Sequence, residues 1–268
     1  MSDLPPRLAR MAALVGSERE FNYTVHVWTD PGFVFFSNPI CACSTLKMSL
    51  NMSVARATGR KDFRIEAAGD IHKRAANLLQ TPREIGYDRL LAMLDDPEVP
   101  VFAFVRSPES RFLSAFRKKL TRETNFTRKV RAHLGLDMDV PLSQFLTLDR
   151  FAQSVAADET MRDLDEHWRL QRKQIFYDAV PRLEIGFVES FSADAARILG
   201  RIFGPDGYVL RDATELNPAN ASGNRKAAPL EVSDLVRDCV AAAYTEDAAM
   251  IAEIRSKAAA RTIESKTT

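Results

Sequence analysis

Three short, mostly apolar stretches are spaced along the chain, at Phe33–Ser37, Val101–Val105 and Leu183–Val188. Apolar stretches of this length are typical of strands that are buried on both faces of a sheet. A fourth segment, Phe21–Trp28, alternates enough to form a strand, with an irregular lead-in to the first run as the alternative. The pattern therefore predicts core strands that lie far apart in sequence.

Helical spacing fills the intervals between these runs. Within Thr45–Thr58, Leu46, Leu50 and Val54 recur every four residues, which places them on one stripe of a helix. Further helices are predicted at Glu84–Leu94, from Pro108 onward, around Leu142–Ala157, and at Glu159–Tyr177, Ala193–Phe203 and Pro229–Lys257. Strands that alternate with helices favour an α/β fold, in which a parallel sheet is flanked by helices on both faces.

The length of 268 residues suits one large α/β domain, and no linker rich in Pro, Gly or Ser divides the chain. We expect a single domain over residues 1–268, with poorly ordered tails at 1–20 and 262–268. The 37 Lys and Arg residues balance 36 Asp and Glu residues, so the net charge of +1 offers no case for a nucleic-acid partner. Three cysteines, two of them at Cys41 and Cys43, form neither a disulfide framework nor a zinc-binding pattern.

The strand at Val101–Val105 leads into a well-marked helix start. Arg106 follows the last apolar residue, Ser107 is a candidate N-cap, and Pro108 suits the first helical position. Ligands of parallel α/β sheets bind at the carboxyl ends of the strands, which is where Arg106 is expected.

Arg106 has the chemistry of an anion-binding residue. Its planar guanidinium can bind two phosphate oxygens, and the hydroxyl of Ser114, about two helical turns beyond the cap, can add a donor. Arg111 and Arg117 raise the positive potential nearby. The segment therefore predicts a phosphate site.

The segment Phe33–Leu50 predicts a second anion site. Its strand turns at Asn38-Pro39 and enters a helix that Ser44 or Thr45 is expected to cap. Backbone N–H groups at the start of a helix, aided by the helix dipole, form a cradle for phosphate. A Gly-x-x-x-x-Gly-Lys-Ser/Thr loop is missing from the sequence, which argues against an ordinary nucleoside triphosphatase.

Basic residues are concentrated between Arg117 and Arg131, where Glu123 is the single acid. Such a block can face an anionic acceptor, but a solvated helix face and loop is the favoured interpretation.

Together these motifs resemble the sulfotransferase family, closest to its carbohydrate sulfotransferase branch. The order Arg-x-Pro-x-x-Arg-x-x-Ser-x-x-Arg resembles that family's 3′-phosphate segment, and it stands here as Arg106, Pro108, Arg111, Ser114 and Arg117. Phe33–Leu50 resembles the family's 5′-phosphosulfate loop. Asp165–Phe176 resembles its Asp-x-His-Trp-x-x-Gln segment, and Leu183–Leu199 resembles its strand that is followed by a Glu and a helix. The likeness covers most of the chain, from about Phe33 to the helix after Pro229.

The resemblance implies a P-loop-NTPase-like fold and a sulfuryl donor, 3′-phosphoadenosine 5′-phosphosulfate, with no metal. It implies a hydroxyl-bearing acceptor, expected to be a saccharide or glycoconjugate. The residues expected to bind the donor are Pro39, Ala42, Cys43, Ser44, Thr45, Lys47, Arg106, Ser114 and, in a late basic loop, Arg225 and Lys226. For Arg225 and Lys226, a solvated loop with no binding role is an equally favoured alternative.

One position departs from the family pattern. The residue after the loop proline, which is Lys in the family and contacts the 5′-phosphate, is Ile40 here. Lys47 is the candidate replacement, with a solvated helix lysine as the alternative. Loss of a cation at the leaving phosphate affects transfer more than binding.

Sulfuryl transfer to a hydroxyl needs a base, and neutral histidine suits proton removal near pH 7. His72 ranks first because it lies between the two phosphate motifs, where some glycan sulfotransferases place a base. His167 ranks second, with a packed histidine beside Trp168 as the alternative. Glu66 is a conceivable stand-in, and His26 and His133 are expected to be structural.

No apolar run is long enough to span a bilayer, and the N-terminal residues lack a signal-peptide core, so we expect a cytoplasmic, bacterial-type relative. Two rival functions remain. One is a protein of the same fold that binds adenosine bisphosphate but has lost transfer, as Ile40 suggests. The other is a kinase-like phosphoryl transferase, which should require Mg²⁺.

Overall fold

The three apolar runs form the parallel part of a four-stranded sheet in a computed structural model that describes residues 4–30, 32–65, 69–211 and 230–267. The strands are β1 (Val25–Thr29), β2 (Gly32–Phe36), β3 (Val101–Val105) and β4 (Glu184–Phe187), in the spatial order β1-β2-β3-β4. Strands β2, β3 and β4 are parallel, whereas β1 is antiparallel to β2. The predicted α/β fold is confirmed, with one antiparallel strand at an edge.

The helices of the chain are as follows: α1 (Pro6–Leu14), α2 (Glu18–Thr24), α3 (Cys43–Ala57), α4 (Pro82–Ile85), α5 (Tyr87–Asp95), α6 (Pro108–Lys119), α7 (Asn125–His133), α8 (Leu142–Phe145), α9 (Leu148–Ala157), α10 (Glu159–Asp163), α11 (Gln171–Gln174), α12 (Phe191–Phe203), α13 (Asp234–Ala243) and α14 (Thr245–Thr267). Four segments predicted as continuous helices are each two helices. The break between α4 and α5 falls at Gly86, whose φ of 89° is readily adopted only by glycine.

One face of the sheet packs on α3 and α12. Phe35 of β2 lies beside Phe102 of β3, with ring centroids 5.2 Å apart. The predicted stripe of α3, Leu46, Leu50 and Val54, is fully buried in the same cluster, together with Ile198 and Leu199 of α12. The periodicity of the sequence therefore identified the buried face of α3 correctly.

The opposite face of the sheet is covered by other helices and by a loop residue. Successive strand residues point to opposite faces, and Phe36 makes an edge contact with Phe176, which in turn contacts Phe21 of α2. Helix α5 packs against β2. Leu8 and Met11 of α1 are fully buried, so the poorly ordered tail expected at 1–20 contains a packed helix.

The chain divides into two compact units. The sheet unit comprises the described residues of 1–105 and 174–228, and it holds all four strands. The helical unit comprises the described residues of 106–173 and 229–268. Its core contains Phe112, Phe151, Trp168 and Tyr244, with Phe112 stacked on Phe151 at 5.1 Å.

Candidate functional site

In the sheet unit, the loop after β2 takes an unusual backbone path. Ile40 and Ala42 have φ values of 67° and 56°, in the left-handed region that is costly for a β-branched residue. Ala42 occupies the N-cap of α3, which begins at Cys43. The prediction that Ser44 or Thr45 caps this helix is therefore wrong, because both lie in its first turn.

This loop is tied to the sheet by its own side chain. Asn38, which is buried, donates from Nδ2 to the carbonyl oxygen of Phe104 at 2.9 Å. The backbone N–H of Cys41 donates to the Asn38 carbonyl at 3.2 Å, which closes the turn. Among the described residues, no side chain caps the N terminus of α3. Polar groups of the loop and of the first helical turn therefore surround a helix start that can receive an anion.

Ser44 and His72 come together at the start of α3. Ser44 Oγ and His72 Nε2 are 3.1 Å apart, and His72 is exposed on a short 3₁₀ turn, Asp70–His72. The structure thus places the first-ranked base against a predicted donor-binding residue.

Two side-chain amides, of the buried Asn51 and the half-buried Asn77, hold the His72 segment against α3. Asn51 of α3 donates from Nδ2 to Asn77 Oδ1 at 2.7 Å and accepts the backbone N–H of Leu78 at 2.6 Å. Asn77 in turn donates to the carbonyls of Ile71 at 3.0 Å and Lys73 at 2.7 Å. The carbonyls on both sides of His72 are therefore fixed by the same amide.

Lys47 is buried one turn into α3, with an exposed fraction of 2%. Its Nζ lies 5.1 Å from the centroid of the Tyr23 ring. The alternative of a solvated helix lysine is therefore wrong. A buried ammonium beside an aromatic ring adds a strong positive charge to the sheet unit.

His26 and Arg74 extend this positive cluster, and the sequence did not indicate either role. Arg74 donates from Nη1 to His26 Nδ1 at 2.8 Å, and its Nη2 donates to backbone carbonyls of α2 and β1. Burial and the charges of Lys47 and Arg74 hold the pKa of His26 well below 6.5. His26 is therefore neutral at pH 7, with Nδ1 as acceptor and the proton on Nε2.

In the helical unit, Arg106 and Ser114 form a pair. Arg106 Nη1 donates to Ser114 Oγ at 3.0 Å, across the first two turns of α6. Pro108 occupies the first helical position as predicted, but Ser107, the predicted cap, makes no capping hydrogen bond through its side chain. The two residues predicted to hold one phosphate are thus adjacent before any ligand binds.

His167 belongs to a second histidine arrangement, also in the helical unit. Its Nδ1 is 2.6 Å from Asp165 Oδ1, and Asp165 also pairs with Lys129 at 2.7 Å. Burial lowers the pKa of His167 from its ordinary 6.5, and the Asp165 hydrogen bond opposes that shift. Burial alone would raise the pKa of Asp165, but the bonds and charges of His167 and Lys129 bring it to about 2. A carboxylate that orients a neutral imidazole in this way is a common arrangement for a general base.

One residue of the predicted basic block, and a second arginine before it, are committed to structural contacts. Arg131 is buried, pairs with Glu123 at 2.7 Å and donates to the carbonyls of Asp137 and Val140. Arg111 is also buried rather than a source of open positive potential, because it donates to the carbonyls of Arg169 and Glu166. The solvated-face interpretation is wrong for Arg131.

Arg225, Lys226 and Glu66 lie outside the described residues. In the part of the chain that the structure describes, no group of three His, Cys, Asp or Glu side chains is placed to hold a metal ion. None of the described helices has the length and apolarity needed to cross a bilayer.

Comparison with known proteins supports one family. The model of the sulfotransferase family matches residues 26–250, which span the loop, His72, the Arg106 segment and the His167 segment. Comparisons with curated proteins and with solved structures gave no significant match. The family model covers most of the chain, and the sheet unit has the mostly parallel α/β sheet expected of this fold. The chain therefore belongs to the sulfotransferase family, whose members transfer sulfuryl groups.

Proposed function

We propose that the protein transfers a sulfuryl group from 3′-phosphoadenosine 5′-phosphosulfate to a hydroxyl of a saccharide or glycoconjugate. The observation that carries this proposal is the Arg106–Ser114 pair, which presents a guanidinium and a hydroxyl from one strand-to-helix junction. A guanidinium fork is well suited to a phosphate monoester, and the 3′-phosphate distinguishes this donor from ordinary adenine nucleotides.

The 5′ end of the donor is assigned to the loop Asn38–Lys47. The N-terminal N–H groups of α3 and the hydroxyls of Ser44 and Thr45 supply donors, and Lys47 supplies the positive charge that Ile40 cannot. During transfer, a bond forms between sulfur and the acceptor oxygen while the bond from sulfur to the bridging phosphate oxygen breaks. Negative charge grows on the 5′-phosphate, where these groups are most useful.

His72 is the proposed general base. It takes the acceptor hydroxyl proton as the new sulfur–oxygen bond forms, leaving sulfated acceptor and adenosine 3′,5′-bisphosphate. The contact between Ser44 Oγ and His72 Nε2, at 3.1 Å, supports this role, because it holds the imidazole at the start of α3, where the reacting sulfur would lie. His167, oriented by Asp165, is the alternative base.

A second candidate function is nucleotide binding without efficient transfer. Ile40 favours it, because this residue places an uncharged, β-branched side chain at a left-handed backbone position where the family has Lys.

We further propose a cytoplasmic location, supported by three free cysteines.

The first test is calorimetric binding of adenosine 3′,5′-bisphosphate to the wild type, Arg106→Ala and the control Arg122→Ala. Arg122 is an exposed arginine of the same helical unit. The proposal expects binding that is strongly weakened in Arg106→Ala and unchanged in Arg122→Ala. Transfer from labelled donor to a saccharide panel then separates the two candidate functions, since the second predicts binding without product.

A further inference from the structure

The backbone of Arg106 is held by the side-chain amide of Gln171. The N–H of Arg106 donates to Gln171 Oε1 at 3.0 Å, and Gln171 Nε2 donates to the Arg106 carbonyl at 2.8 Å. Both polar groups of one backbone residue are therefore satisfied by one side chain. Gln171 is fully buried, so its amide is held in one place by the surrounding protein.

Gln171 is itself anchored by a buried carboxylate. Its backbone N–H donates to Asp247 Oδ2 at 2.9 Å, and the N–H of Arg172 donates to Asp247 Oδ1 at 2.9 Å. Asp247 lies on α14 and is fully buried. The C-terminal helix thereby fixes the segment that carries the amide.

The residues just before Gln171 are anchored as well. Tyr244 donates its hydroxyl to the carbonyl of Trp168 at 2.5 Å. Arg111, on the same helix as Ser114, donates to the carbonyls of Arg169 and Glu166 at 2.7 and 2.8 Å. The amide thus projects from a segment held at several points within the helical unit.

Only an amide can make this pair of bonds. Gln offers a donor and an acceptor on adjacent atoms, whereas a carboxylate only accepts and a thioether does neither well. Replacement of Gln171 leaves the N–H or the carbonyl of Arg106 buried without this partner. Without these two hydrogen bonds, the backbone of Arg106 would no longer be held in one position, and its guanidinium would be less well positioned.

We infer that Gln171 is a positioning residue that fixes Arg106 for the 3′-phosphate and thereby sets the preference for nucleotides that carry one. The backbone of Arg106 is held by Gln171 and its guanidinium by Ser114, so little freedom remains to be lost when an anion binds. This inference rests on the proposed function, because it assigns the Arg106 site to a 3′-phosphate.

The test compares two probes, adenosine 3′,5′-bisphosphate and adenosine 5′-phosphate, which differ only in the 3′-phosphate. Calorimetry on Gln171→Met and Gln171→Glu is expected to show affinity for the bisphosphate reduced by about tenfold or more, with affinity for the monophosphate nearly unchanged. Thr127→Val is the matched control, because it removes hydrogen bonds of a buried hydroxyl in the first turn of α7, in the same unit but away from the Gln171 segment. It should lower thermal stability without changing the ratio of the two affinities.

A double-mutant cycle makes the test specific. In an Arg106→Ala background, Gln171→Met should cause no further loss of bisphosphate affinity, because the two residues act through one contact. A merely structural role for Gln171 is indicated if both affinities fall together or if the losses add, and either result overturns the inference. If the wild type does not prefer the bisphosphate, the proposed function itself fails. If the wild type prefers it and Gln171→Met retains that preference, only the present inference fails.

Discussion

Ser44 Oγ and His72 Nε2 lie 3.1 Å apart, although 28 positions separate the two residues in the chain. Ser44 is in the first turn of α3 and His72 is in a 3₁₀ turn held by the Asn51–Asn77 amide pair. The contact brings a titratable side chain to the helix start that resembles a phosphosulfate loop. This contact supports His72 as the proposed base for chemistry at the 5′ end of a donor.

The identity of the base can be decided by two substitutions. We expect His72→Ala to lower kcat by roughly 100-fold or more, in the range of general-base catalysis, while adenosine bisphosphate affinity stays nearly constant. His167→Ala should lower kcat by less than tenfold and reduce thermal stability, because His167 is buried and bonded to Asp165. Steady-state kinetics and melting curves on both variants provide the measurements. A large kcat loss in His167→Ala alone would transfer the role to His167.

Ser114 is expected to act on the same phosphate as Arg106. Ser114→Ala removes the hydroxyl that accepts from Arg106 Nη1, and a hydrogen bond to a charged group contributes about 1.5–3 kcal/mol. Affinity for adenosine 3′,5′-bisphosphate should therefore fall by about ten- to a hundredfold. Ser154→Ala is the control, since the Ser154 hydroxyl donates to the Arg150 carbonyl of its own helix. Calorimetry that gave equal affinities for both variants would contradict the assignment.

Lys47 has an effect on its neighbour that can be measured without substrate. The charge of Lys47 contributes to the low pKa of His26, so Lys47→Met should raise that pKa. A histidine titration followed by NMR is the direct readout. Lys73→Met is the matched control, because Lys73 is exposed and pairs with Asp70. Lys47→Met should also lower the transfer rate, and an unchanged rate would remove Lys47 from the catalytic scheme.

Stability is expected to fall as the pH drops below the ordinary histidine pKa of 6.5. Below that pH the unfolded chain binds a proton at His26, whereas the folded chain does not, because burial and the charges of Lys47 and Arg74 depress the folded pKa. The contribution is present above pH 6.5 and is lost as the pH falls, at no more than about 1.4 kcal/mol per pH unit. Burial also lowers the pKa of His167, so this residue adds to the pH dependence in the same direction.

Urea unfolding at pH 7.5, 6.5 and 5.5 measures that dependence. His26→Asn keeps an acceptor for Arg74 but does not titrate, so its free energy of unfolding should vary less with pH than that of the wild type. Equal slopes for the two proteins would show that folding does not lower the pKa of His26, contrary to this prediction.

The anomaly at Ile40 leads to a gain-of-function prediction. Ile40→Lys introduces the cation that the family carries and removes a β-branched side chain from a left-handed position with φ of 67°. We expect a higher transfer rate with no loss of thermal stability. Ile40→Met is the control, because it removes the branch without adding charge. If both variants gain the same rate, relief of backbone strain rather than charge is responsible.

The apolar runs and the Leu46, Leu50 and Val54 stripe were enough to predict β2, β3, β4 and the buried face of α3. These features are local, because a buried strand or helix face must be apolar at the period of its own backbone. Arg106 after its strand and Ser114 on its helix were predictable for the same reason, since short-range geometry places them together. The breaks within predicted helices, such as that at Gly86, were not predicted, and neither was helix α1 near the N terminus.

Only the tertiary structure decided which distant groups share one environment. The exposure of Lys47 could not be read from its helix, because burial depends on Tyr23 and other residues outside that helix. The tautomer of His26 depends on Arg74, and the backbone of Arg106 is fixed by Gln171, 65 positions away. The order of the motifs was sufficient for the family. The histidine that contacts Ser44 and the amide that holds the backbone of Arg106 follow from hydrogen bonds that form only when separate segments pack together.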